Sequence, residues 1–195
     1  MRALYDASVL FPDSEPTAAA FSVFRKTRTL YSVRLGGPLH ALWADHLTRG
    51  LSALGISVLN GFARRTPAGT WGVEFLVMPM PGAADPATVD YVALTEQEPP
   101  TAPPAIGIDS YALDGSPEQA GLLYAEVRGP DRLGFLGGVL RLMAQQDLAP
   151  REMWIATWDG QAFDRFLLAA PDGRVPPDGA RRALARALKA RSARA

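Results

Sequence analysis

The chain has no cysteine, which excludes a disulfide framework and thiol catalysis. Histidine is nearly missing as well. His40 and His46 are the two present; at a separation of six they do not share one helical face, so no metal pair is expected. Neither Gly37 nor Gly129 lies in a GxGxxG or GxxxxGK context, and no cofactor is expected. The acidic residues are scattered and form no His–acid–nucleophile set, so the chain is expected not to be an enzyme. Net charge is absent too, with 20 basic residues against 20 acidic ones. That balance gives no support for nucleic acid or an anionic membrane as a partner. It favours self-association over repulsion, so a homodimer is expected. No run reaches the ~18 apolar residues that a bilayer-spanning helix needs. Residues 1–13 include an early Arg2, but Asp6 interrupts their apolar run; they read as a strand and not as a signal peptide, with a cytoplasmic location as the default expectation.

What is present is ordinary in amount and informative in pattern. The hydrophobic fraction is 48% over 195 residues, enough for one large domain or for two of about 80–90 residues that lean on each other. The clearest stretch is residues 123–168. Leu123, Ala125 and Val127 alternate with Tyr124 and Glu126, the period of a half-buried strand. Gly129-Pro130-Asp131 is turn chemistry, with Asp131 placed to cap a helix. Leu133, Leu136, Val139, Leu140 and Met143 follow at spacings of three and four, the stripe of an amphipathic helix. A strand over residues 152–158 then reaches Asp159-Gly160, a two-residue hairpin signal, and returns over residues 163–169.

The remaining segments read as follows. Residues 17–26 are ambiguous between helix and strand. A strand over residues 30–35 ends at Gly36-Gly37-Pro38. A helix over residues 39–54 is closed by Gly55. Strands over 56–64 and 71–78 pair through Thr66-Pro67-Ala68-Gly69. A second helix starts at Asp85-Pro86 and runs to about Gln97. The Pro-rich run EPPTAPP (98–104) is an extended spacer. A strand over 105–113 follows. The last helix begins at Pro177-Asp178, and Leu184 and Leu188 are on its inner side. Its arginines suit a solvated face near a helix C-terminus better than a nucleic-acid patch.

The two halves repeat. Pro38 and Pro130 are 92 positions apart, and at that offset Tyr31, Val33 and Leu35 fall on Leu123, Ala125 and Val127. Trp43, Ala44, Leu47 and Leu51 fall on Phe135, Leu136, Val139 and Met143, and Phe62 falls on Trp154. Trp43, Phe62, Trp71, Trp154 and Trp158 are therefore expected in the core or between the halves.

The run VRGPDRLGFLG from Val127, followed by WIATWDGQAFDRF at 154–166, resembles the ACT domain. It is most similar to the subgroup at the C-terminal end of bacterial nitrogen-sensing uridylyltransferases and in plant ACT-repeat proteins. Nothing in the chain resembles the catalytic or phosphohydrolase domains of those enzymes. The resemblance and the repeat together imply an α+β fold of two ferredoxin-like βαββαβ units with antiparallel sheets. The expected division is a lead segment over residues 1–28, a first unit over 29–116 and a second over 117–195. The second unit then lacks a final strand, and an unpaired edge is a liability. Residues 2–11 are the expected donor, since LYDASVLFPD (4–13) resembles IGIDSYALDG (106–115).

The resemblance also implies a non-catalytic regulatory protein. In ACT domains small effectors, often amino acids, bind at the turn between first strand and first helix, in a pocket shared with a neighbouring unit. By position this selects Gly129, Pro130, Asp131, Arg132, Gly134, Phe135 and Leu136, and in the first unit Gly37, Pro38 and His40. The physics agrees: a glycine-bearing turn leaves backbone N–H groups at a helix N-terminus, which suit a carboxylate. Asp131 either meets the ligand's ammonium or caps the helix. Gly134 and the Gly137-Gly138 pair either admit a ligand or allow close packing. The implied partners are an amino-acid effector and a regulated enzyme in trans. An oligomerisation scaffold with vestigial pockets, and an enzyme on a ferredoxin-like fold, are the alternatives.

Overall fold

Alternation decides which side of each strand is buried, and it builds one sheet. The computed structural model describes residues 17–99, 105–115 and 121–192. In chain order the strands are β1 (Ala20–Arg25), β2 (Tyr31–Gly37), β3 (Ile56–Arg65), β4 (Trp71–Pro79), β5 (Ser110–Gly115), β6 (Leu123–Pro130), β7 (Ala149–Trp158) and β8 (Gln161–Ala169). They form a single eight-stranded antiparallel sheet in the order β1-β2-β4-β3-β7-β8-β6-β5. Among the described residues four helices, α1 (Trp43–Ala53), α2 (Tyr91–Glu96), α3 (Phe135–Ala144) and α4 (Asp178–Ser192), complete a mixed α/β fold. Val33, Val73, Phe75, Val127 and Phe166 join the inner faces of the helices in one continuous apolar core that spans both halves. No helix among the described residues is long and apolar enough to cross a membrane.

The strand order is mirrored about the β3–β7 pair. At the centre of that seam Phe62 lies directly opposite Trp154, with ring centroids 5.9 Å apart. These two residues are equivalent at the 92-residue offset, so a pseudo-twofold axis passes between them, as in an isologous contact. Two bulges obey the same symmetry: β3 carries an extra residue at Leu59 and β7 at Arg151, also 92 positions apart. The helices follow suit, because α1 packs on α3. There the buried Asp45–Arg49 pair (2.9 Å) also receives Arg141 at 3.4 Å.

Several expectations change. The strand expected over 105–113 starts at Ser110, and it pairs with β6 of the second half instead of closing the first. Residues 20–25, ambiguous in sequence, are strand β1 and pair with β2. Each half thus takes its edge strand from just before its first central strand, not from after its last helix as a βαββαβ order requires. The reason is proximity: β1 ends six positions before β2 begins and β5 eight before β6, so a hairpin closes at little entropic cost. The proposed donor, residues 2–11, lies outside the described residues. The single helix expected from Asp85 is a 3₁₀ turn (Pro86–Thr88) followed by α2. Asp85 caps the turn through the Ala87 N–H (3.0 Å) and Asp90 caps α2 through the Ala93 N–H (3.0 Å). Trp43 and Trp71 are buried against each other, whereas Trp158 is 77% exposed at the hairpin tip and does not pack in the core.

Candidate functional site

Both turns that lead into a first helix end at the seam, against the opposite half. Asp131, Arg132 and Gly134 of the β6–α3 turn face residues 56–58 at the start of β3 and Thr48 of α1, across a cleft of ≈ 20 Å³. Leu39, His40 and Ala41 of the β2–α1 turn face residues 149–151 at the start of β7, across a cleft of ≈ 130 Å³. The pseudo-twofold axis relates the two clefts, and each lies close to one of the bulges, which re-aim the strand that forms its wall.

The residues selected from sequence separate into two groups. Asp131, Arg132, Gly134, Phe135 and Leu136 line the first cleft and His40 lines the second. Gly129 and Pro130 line neither of these two clefts; they are the last residues of β6, paired with Ala162 and Gln161. A side chain at Gly129 would stand 2.5 Å from the Gly107 carbonyl oxygen and 2.7 Å from the Phe135 ring, so this glycine serves close packing. Gly37 ends β2, and Pro38 is exposed beyond it. Gly137 packs on Thr48 and Arg49 of α1, and Gly138 on Ile106.

Asp131 does not cap α3. The turn continues through residues 131–134, with the Phe135 N–H donating to Arg132 O (2.9 Å), and Gly134 takes the N-cap position at φ 87°. The Asp131 N–H donates to Gly160 O (2.8 Å), tying the turn to the β7–β8 hairpin. Its carboxyl is raised above the usual carboxylate range by burial, tempered by a hydrogen bond from the Thr157 hydroxyl. The N–H groups of Leu136 and Gly137 sit in the first turn of α3, where no carbonyl within the helix can accept them.

The residue that sequence reasoning missed is Asp164. It is 1% exposed, lines the first cleft and sits on the core face of β8 between Ala162 and Phe166. Among the described residues neither of its carboxyl oxygens has a hydrogen-bond partner. Burial raises it well above the usual range, and the neighbouring Asp131 carboxyl raises it further; the nearby Ala156 amide only tempers this. A signal existed. Strand alternation puts residue 164 on the buried side, where the first half has Val73, and an acid in that phase is anomalous.

In the second cleft the Leu42 N–H donates to His40 Nδ1 (3.2 Å), which leaves Nε2 to donate to the Thr95 carbonyl. The loop folds back so that the His40 and His46 rings lie 4.9 Å apart, despite their unsuitable helical spacing. Burial, and then His40, lower the basicity of His46. Among the described residues no three His, Asp or Glu side chains converge as a metal site would require.

No protein-family model matches the sequence, and no curated protein matches it. Among solved structures the chain is similar to an aspartate kinase from Synechocystis, at 15% identity and a TM-score of 0.41, over 73% of this chain and 24% of that one. The chain therefore spans about a quarter of that protein's length, and a likeness of this degree carries no functional conclusion.

Proposed function

We propose that the chain is a tandem ACT-type regulatory protein, two ferredoxin-like units joined side by side, that binds an amino acid in the cleft at the β6–α3 turn. The observation that carries the reading is that this cleft is built from both halves, the second supplying two carboxyl groups and the first-turn amides of α3, and the first supplying Thr48 and residues 56–58. Asp131 and Asp164 offer carboxyl groups to an ammonium. The first-turn amides of α3 and the Arg132 side chain suit a carboxylate. In the present conformation the cleft admits a group about the size of one water, so an amino acid enters as the 131–134 turn opens. Binding then acts on a homodimer or on an enzyme in trans by favouring one arrangement of the seam. The chain itself performs no chemistry in this reading.

Thermal shift against the twenty amino acids tests it. One amino acid should raise the melting temperature selectively, and Asp131→Ala should remove the rise. A scaffold role has one observation in its favour: the β2–α1 turn has Leu39 and Leu42 where the second half has Asp131 and Gly134. A flat response to all twenty, with a stable dimer, would replace sensing with that role.

A further inference from the structure

A fully buried carboxyl with no partner is costly to leave in place, and Asp164 is the one such carboxyl among the described residues. No side chain around it neutralises it, and the Ala156 backbone N–H offsets only part of its burial. The cleft brings Asp131 and Arg132 from the turn, Thr157 and Ile155 from β7 and Ser57 from β3. Arg132 is exposed and makes no ion pair with either acid. Among the described residues Asp131, Arg132 and Asp164 are the only titratable side chains lining the cleft; α1, β3, α3 and β7 contribute hydroxyl, glycine and apolar groups. The space beside them, ≈ 20 Å³, matches a single ammonium head and is too small for a guanidinium.

Resting on the reading above, we infer that the cleft recognises a primary ammonium group through Asp164, and that its entry ionises this carboxyl and expels one proton to solvent. The exchange balances: R–NH₃⁺ and the neutral acid give an ammonium–carboxylate contact and H⁺. Asp131, held by Thr157, is the outer acid that the ammonium meets first. The ligand class is therefore a primary amine or an α-amino acid with a free ammonium, and an N-methylated or N-acylated analogue is excluded. The raised proton affinity that burial gives Asp164 supports this coupling.

Methylammonium chloride is the probe, with tetramethylammonium chloride at equal ionic strength as the control, on the full chain. Methylammonium should raise the melting temperature saturably and the control should not. A pH-indicator dye should report about one proton released per site filled. The apparent affinity should rise about tenfold per pH unit while the free carboxyl remains protonated. Asp164→Asn should abolish both effects; the dye measurement on the native chain keeps the test independent of that variant's folding. Equal responses to the two salts, or methylammonium uptake without proton release, would overturn the inference. An amino acid that binds Asp164→Asn as well as the native chain would sink this inference and leave sensing intact. Methylammonium uptake with no amino-acid response would do the reverse.

Discussion

Asp164 sets the pH behaviour expected of the fold. Its carboxyl holds a proton more tightly in the folded chain than in the unfolded one. Stability from this group is thus fully present below about pH 4, the unfolded value, and is lost as pH rises toward the folded value. Over that window the native chain should lose up to about 1.4 kcal/mol per pH unit relative to Asp164→Asn. Urea melts of both proteins at successive pH values check this, and parallel curves would refute it. Asp45 makes the contrasting case. At 3% exposure it is bonded by the equally buried Arg49, while its other partner Arg141 is 30% exposed. Asp45→Ala should cost about 3 kcal/mol, because it removes the buried carboxylate bonded to Arg49 while the exposed Glu98, at 3.7 Å, remains beside that guanidinium. Arg141→Ala should cost under about 1 kcal/mol. Denaturation midpoints of the two variants separate these outcomes. At this scale the sequence was legible only in part. The strand phase at residue 164 could be read, but nothing local reveals that the opposite wall of its cleft comes from residues 48 and 56–58, more than a hundred positions earlier.

The β7–β8 hairpin shows how much one element carries in its own residues. Asp159 and Gly160 both adopt positive φ, at 50° and 70°, the twist a two-residue turn needs between right-twisted strands. Nothing lies within 4 Å of a side chain added at Gly160, so Gly160→Ala should cost only the backbone term, about 1–2 kcal/mol. Gly129→Ala, which meets the Gly107 backbone, should cost more. Thermal melts of the pair rank them, and the opposite order would contradict the packing described. This hairpin, the β3–β4 pair and the C′ glycine at Gly55 are all legible because neighbouring residues determine them. α1 and α3 begin at Trp43 and Phe135, later than expected. Gly-Pro marks where a strand ends, whereas the helix begins only after a further turn whose length the motif does not encode. The partner of β5 differs from the expected one for a related reason: a strand's own alternation says which face is buried and not which neighbour it joins.

At the scale of the molecule, the seam makes two small sequence repeats into one cooperative body. The core is continuous across β3–β7, and α1 packs on α3 over the same line. The halves should therefore unfold together, with calorimetric and van't Hoff enthalpies equal; two resolved heat-absorption peaks would show them to be separate. The 92-residue repeat was readable from apolar positions alone. The edge by which the copies meet was not, since β3 and β7 read as ordinary half-buried strands. The order of the edge strands has a further consequence. Because β1 precedes β2 and β5 precedes β6, each half is one uninterrupted piece of chain, and a single cut within the EPPTAPP spacer would leave every strand on the same fragment as its nearest partners, except along the seam. Each fragment would then present one long bare strand edge whose best complement, by the pseudo-symmetry, is either the other fragment or a second copy of itself.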